Sequence, residues 1–327
     1  MHQVKLFELE TPYRETLAIK GTAFGPEDAP ESLAVVGALR GNEIQQAYIC
    51  ARLVQRLKQL EENGLVTGQV KILVIPVVNS FSMNIAHRFW PMDSTDINRM
   101  FPGYDQGETT QRIAAGLFER IQHATYGIQM ASYYLPGNFE PHVRVTNAKA
   151  LDPERLRNLA RMFGFRYALV KEPSPFDTTT LNYNWQVWNT YACSVYASAT
   201  SHINEPAADF VLARILQFME GIGAIAPDLK NAAGPTGSTP AFVTQWAREE
   251  DLVNVRTRRA GFFRPVVRVA QTVQRGDVLA EILDTDDCTV REVLTSPVSG
   301  TVFFIHESEL INGETIAFKV LHSSEVL

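Results

Sequence analysis

The chain has 327 residues, 45% of them hydrophobic and 20% charged, with a formal net charge of −6. That length holds about two domains, and the acidic balance gives no general electrostatic attraction to nucleic acid. Three scattered cysteines, Cys50, Cys193 and Cys288, are too few for a disulfide framework or a Cys-rich zinc module.

The first stretch, MHQVKLFELETPYRE, is charged and has no apolar core of the signal-peptide kind, and no apolar run is long enough to span a bilayer. The expected location is therefore the cytoplasm, with no membrane partner. Next come two apolar, β-rich runs, SLAVVGAL (32–39) and QVKILVIPVVN (69–79), with an amphipathic helix over Ile44–Leu60 between them. TTQRIAAGLFERIQHA (109–124) predicts a second helix and YGIQMASYY (126–134) a strand. DPERLRNLARMFG (152–164) predicts a third helix, with Asp152 as N-cap and Pro153 at its first position. YACSVYASA (191–199) predicts a strand and EPAADFVLARILQFMEGIG (205–223) a helix stopped by glycines.

This alternation argues for an α/β domain around a mixed, largely parallel sheet flanked by helices, spanning residues 1–228. A Pro/Gly-rich stretch follows and is read as a linker or crossing loop over 229–245. Residues 246–327 then change to short strands with Gly turns, including REVLTSPVSGTVFFI and NGETIAFKV, which predict a small all-β module.

Two short strings carry the chemical interest. GALRGNE (37–43) is a Gly-bounded turn between the first apolar strand and the first helix. DSTDINRMFPG (93–103) holds Asn98 and Arg99 on a tight loop, a planar fork of donors beside an amide and suited to a carboxylate. On residue type alone, the plain reading of Arg99 is an ion pair with Asp93 or Asp96.

Taken in order, GALRGNE, PVVNSFSMNIAHRFWPMDSTDINRMFPG and EPHVRV resemble the aspartoacylase and succinylglutamate desuccinylase family, zinc hydrolases of N-acyl amino acids. The resemblance runs from about Leu33 to Ile225, and the C-terminal strands resemble the family's barrel-sandwich domain. It implies a carboxypeptidase-like fold and a catalytic zinc held by three protein ligands. In the family a His and a Glu come from an HGNE-type turn, a second His from a later strand end, and a Glu on a further strand is the general base. An Asn-Arg pair grips the substrate carboxylate.

Set on that pattern, the chain departs at most chemical positions. The first His position is Arg40, which cannot ligate a metal, while Glu43 is kept. In YGIQMASYY, Ala131 falls at the second His position, or Met130 with a shift of one; Gln129 and Ser132 flank them. Tyr196 falls at the general-base position. Asn98, Arg99 and the PHVR segment with His142 and Arg144 are intact. The resemblance thus implies a pocket for a small-molecule carboxylate or N-acyl amino acid lined by Asn98, Arg99, Arg144 and Arg40. Glu43 is the one surviving metal-ligand position, and no cofactor is expected in place of the family's zinc. Arg40 is further expected to pair with Glu43, which would otherwise be a buried carboxylate without a counter-ion.

Rival sites are weaker. His202 and Glu205 show a His-x-x-Glu spacing, but Asn204 fits a helix N-cap with Glu205 and Pro206 in the first turn. His87, His123 and His306 read as loop, surface or structural residues. Arg256, Arg258, Arg259, Arg264 and Arg268 read as the solvated face of a sheet or a subunit contact. Two functions stay open: a binding protein or pseudoenzyme, alone, as a homo-oligomer or beside an active paralogue, and an amide or ester hydrolase with displaced metal ligands or altered chemistry.

Overall fold

The computed structural model describes residues 1–10, 16–227 and 242–322. Most of the proposed linker (229–245) lies outside the described residues. Chain order begins with β1 (His2–Glu10), β2 (Thr16–Phe24), β3 (Glu31–Ala38), α1 (Ile44–Glu62), β4 (Val70–Val77), the short α2 (Ser80–Asn84) and α3 (Thr109–Ile121). It continues with β5 (Tyr126–Ala131), β6 (Gly137–Phe139), β7 (His142–Thr146), α4 (Pro153–Met162), β8 (Tyr167–Lys171), α5 (Leu181–Val187), β9 (Tyr191–Tyr196), α6 (Glu205–Gly221) and β10 (Gln245–Arg248).

One nine-stranded sheet takes the order β1-β2-β4-β3-β5-β9-β7-β8-β10. Its centre, β4-β3-β5-β9, is parallel; β7, β8 and β10 run the other way, and β2 and β4 pair antiparallel. The expected mixed, largely parallel sheet is present. Both faces are covered, so its central strands read as continuous apolar runs rather than alternating ones. In β3, Leu33 and Val35 enter the core beneath α1, α4 and α6, while Ala34 and Val36 enter the core beneath α3 and α5. Asp152 caps α4 by accepting from Glu154 N at 3.0 Å, with Pro153 at the first position as its sequence predicts.

The remaining strands are β11 (Leu252–Arg256), β12 (Gly261–Pro265), β13 (Thr272–Val273), β14 (Val278–Leu283), β15 (Val290–Thr295), β16 (Gly300–His306), β17 (Leu310–Ile311) and β18 (Ile316–His322). They form two antiparallel sheets, β11-β18-β16-β13 and β15-β14-β12-β17, closed on a shared core that includes Phe263, Ile282, Leu294 and Phe318. Two strand pairings tie this β structure to the large sheet. β10 adds to the edge of β8, and β6 pairs with β16, placing Phe139 opposite Phe304. Both joints lie beside the same cavity.

Candidate functional site

A cavity of about 590 Å³ opens at the C-terminal ends of β3, β5 and β9, the usual place for a ligand in an open α/β sheet. Parallel β5 and β9 put Gln129 opposite Ser194 and Ala131 opposite Tyr196; antiparallel β7 extends these rows with Arg144 and His142. Deeper along the same face of β5, Gly127 is covered by Trp185 of α5, whose ring leaves no room for a Cβ there. The cover ends at Gln129, and polar side chains take over. Met130, on the opposite face, is fully buried in the core, so it is Ala131 whose methyl group meets the cavity.

The turn after β3 supplies the innermost charges. Gly41 is required here by crowding: a Cβ would lie 2.3 Å from His87 O and 2.4 Å from Ser82 C. The Glu43 carboxylate folds back over the turn instead of capping α1. It accepts from the backbone N–H groups of Leu39 and Arg40, both at 3.0 Å, and from Ser132 Oγ at 2.7 Å. Arg40 Nη1 donates to Glu43 Oε1 at 3.1 Å, while Nε and Nη2 donate to Asp96 Oδ2 at 3.1 and 2.8 Å. Burial works against the Arg40 charge, but the two carboxylates overcome it and hold the guanidinium firmly protonated. Gln46 of α1 fixes the neighbouring strand ends, its amide donating to Ala131 O at 3.1 Å and Ala199 O at 3.0 Å.

A second set of charges lines the opposite wall. Arg99 Nη1 donates to Phe176 O and to Asp177 Oδ1, the latter at 3.3 Å. Asp177 also accepts from Lys171 Nζ at 3.1 Å and from Ser174. Burial alone would raise the Asp177 pKa, yet these hydrogen bonds and the lysine hold it well below the usual carboxylate range. Arg144 reaches Glu249 at 3.3 Å, and Lys171 stands 3.9 Å from the same Oε2 atom. Lys319 of β18 completes the wall. Asn98 is buried and accepts from Leu181 N at 3.2 Å, fixing the loop that carries Arg99.

Between the charged walls lies an aromatic cluster of Tyr133, Phe139, Tyr196 and Phe304. Arg144 sits 4.7 Å over the Tyr196 ring, and Lys319 Nζ 4.9 Å over the Tyr133 ring. The Tyr196 ring also stacks on the His142 ring at 4.5 Å. Burial pushes the Tyr196 phenol up to about 12 and lowers His142 to about 3. Both therefore stay neutral at ordinary pH. His142 Nδ1 donates to Glu140 O at 2.8 Å, which leaves Nε2 as a buried acceptor with no partner.

The structure thus brings Arg40, Glu43, Asn98, Arg99, Ala131, Arg144 and Tyr196 to one site. The expected Arg40–Glu43 pair forms. Arg99 pairs with neither Asp93 nor Asp96: Asp96 is taken by Arg40, and the partner of Arg99 is Asp177. Asn204 caps α6 through Ala207 N, and His202 faces Glu307 at 3.8 Å, away from Glu205. His87 and His123 are exposed, and the five arginines of 256–268 are exposed. Asp96, Lys171, Asp177, Glu249 and Lys319 are site residues that the sequence reading did not single out. Only Asp177 carried a local signal, the Ser-x-x-Asp spacing of SPFD that closes a capped turn. Among the described residues, no three His, Cys, Asp or Glu side chains are grouped to hold a metal ion, and no helix is long and apolar enough to cross a membrane.

Residues 29–133 match the family model of the succinylglutamate desuccinylase/aspartoacylase catalytic domain. A curated relative, the N-alpha-acetyl-L-2,4-diaminobutyric acid deacetylase of Halomonas elongata, is 28% identical over 87 residues, 27% of this chain and only 23% of the relative's own length. The fold is shared over nearly the whole chain. A succinylglutamate desuccinylase/aspartoacylase from Rhodobacter sphaeroides superposes with a TM-score of 0.77 at 20% identity, over 98% of this chain and 95% of that one. The product-bound ectoine utilization protein EutE from Ruegeria pomeroyi gives 0.79 at 15% identity, over 98% and 95%.

Proposed function

We propose, from a chain whose residues 29–133 match the succinylglutamate desuccinylase/aspartoacylase catalytic domain, that it recognises an N-acyl amino acid or related small carboxylate without using the zinc chemistry of that family. The observation that carries this reading is the Arg40 guanidinium, seated between Glu43 and Asp96. A zinc site needs several neutral nitrogen, thiolate or carboxylate donors around one point. Here Glu43 has a permanent cation 3.1 Å away, Ala131 offers a methyl group, and Tyr196 is held as a neutral phenol. These residues do not fit a zinc ion.

What the residues offer instead is recognition. Arg99 is only partly enclosed, with 40% of its side chain exposed, and retains donors beyond its bonds to Phe176 and Asp177. It is suited to the ligand carboxylate, with Asn98 holding its loop. Arg40 spends three of its five N–H donors on Glu43 and Asp96. The rest are suited to an amide carbonyl oxygen above Ala131. The Ser132 hydroxyl also meets Glu43, but that carboxylate already accepts two backbone N–H groups and a guanidinium. With the Ser132 bond, those contacts engage both carboxylate oxygens and make Glu43 a part of the turn's framework.

The test is metal analysis of protein purified without chelators, together with calorimetric titration against a panel of N-acyl amino acids. Binding by metal-free protein is the expected result. Near-stoichiometric zinc, with deacylation abolished by chelation, overturns the reading.

A further inference from the structure

The two ends of the cavity differ in charge balance. At the Arg40 end, the cation is matched by Glu43 and Asp96. On the wall nearest the C-terminal strands, Arg99, Arg144, Lys171, Arg256 and Lys319 face three carboxylates, Asp177, Glu249 and Glu314. Asp177 and Glu249 are each shared by two cations, Arg256 donates to the backbone carbonyl of Glu314, and among the described residues Lys319 has no carboxylate within ion-pair distance. Burial, with the neighbouring cations Arg144 and Lys171, outweighs the attraction of Glu249, and the ammonium is easier to deprotonate than an ordinary lysine.

This locus also holds unspent donors. The Tyr133 hydroxyl is buried, as is Arg144 Nε, and neither has a hydrogen-bond partner. Buried donors of this kind are normally satisfied. They lie close together: the Tyr133 and Tyr196 rings are 5.1 Å apart, with Lys319 over one and Arg144 over the other. An excess of two positive charges, with unspent donors at one locus, calls for one group carrying two negative charges and several acceptor oxygens.

We propose that this wall binds a doubly charged oxyanionic group of the phosphoryl type, and that Lys319 sets the preference for two charges over one. The inference rests on the carboxylate-recognition reading of the same cavity and names a second group on its ligand. A single carboxylate would leave one positive charge and at least one donor unanswered. Two carboxylates on separate carbons would have to spread over donors gathered around one pair of rings.

The experiment is calorimetric titration of the full chain with inorganic phosphate, succinate and acetate at neutral pH and fixed ionic strength. Phosphate is expected to bind at least about tenfold tighter than acetate, and tighter than succinate. Lys319→Met should weaken phosphate about tenfold or more, and Lys319→Arg should largely keep it. The same preparations are titrated with the N-acyl amino acid panel. Absence of phosphate binding, binding unchanged in Lys319→Met, or succinate bound more tightly than phosphate overturns this proposal. If N-acyl amino acids still bind in any of those cases, the failure is confined to the oxyanion site. If they do not, the recognition reading falls with it.

Discussion

Arg40 and Glu43, three residues apart in one turn, form a buried ion pair in which Nη1 stands 3.1 Å from Oε1. Glu43 is almost wholly removed from water, and Asp96 on the other side of the guanidinium is largely so. Arg40→Met would leave two carboxylates facing each other across an apolar side chain. Removing one partner of a buried charge network costs about 3–5 kcal/mol, and that loss is expected in urea unfolding at pH 7. A loss under about 1 kcal/mol, the range of surface pairs, would mean that water reaches the turn.

How much of this was legible beforehand follows from the range of each interaction. The central strands were readable because burial on both faces makes them unbroken apolar runs, and α4 because its cap is written locally in Asp152-Pro153. The edge hairpin β1–β2 was not: β1 has one fully buried residue, Leu6, among alternating charged and half-exposed positions. Arg40, Glu43, Ala131 and Tyr196 were singled out through the family resemblance, and the fold places them around one cavity. The charges that complete the site were not, since Asp177 meets Arg99 across 78 residues and Glu249 meets Arg144 across 105. Only the fold brings those pairs together, and a lone Lys319 in AFKV carries no local sign of facing a cavity.

His142 ties the site to acid stability. Burial depresses its folded-state pKa from 6.5 to about 3, so between those values the unfolded chain binds a proton that the folded chain refuses. Stability is therefore fully present above pH 6.5 and is lost as the pH falls toward 3, by up to about 1.4 kcal/mol per pH unit. His142→Phe preserves the stacking on Tyr196 and should flatten this limb of a stability-versus-pH curve measured by urea unfolding. A second loss, from the depressed Asp177, belongs to the lower window beneath its ordinary value of 3.8 and should persist in the variant. Parallel curves for the two proteins between pH 6.5 and 4 would show that the ring is protonated in the folded state.

Arg99 separates binding from stability. Its side chain is 40% exposed and its ion pair with Asp177 is backed by Lys171, so Arg99→Ala should change unfolding stability by no more than about 1 kcal/mol. If it grips the ligand carboxylate, the charge-assisted bond lost is worth about 1.5–3 kcal/mol, or roughly ten- to hundredfold in affinity. Calorimetry of wild type and variant against the same N-acyl amino acid decides it. Equal affinities would remove Arg99 from the ligand site and leave Arg144 or Lys171 as the carboxylate partner.

The proposed correspondence between this turn and a metal site can be tested by reversal. Arg40 and Ala131 both border Glu43: one bonds it directly, and the other precedes Ser132, whose hydroxyl donates to it at 2.7 Å. Replacing both by histidine removes the resident cation and offers two imidazoles beside a carboxylate, a donor set that suits zinc and leaves a fourth position open. Neither single variant supplies that set: Arg40→His lacks a second imidazole, and Ala131→His keeps the guanidinium that repels a dication. The double variant Arg40→His/Ala131→His should therefore take up zinc in near-stoichiometric amount by elemental analysis, and the wild type and both single variants should not. Zinc in the wild type would show that Arg40 does not occupy a metal's place. A folded double variant without zinc would show that the strand ends, held by Gln46 through Ala131 O and Ala199 O, are set too far from Glu43 for the three groups to converge.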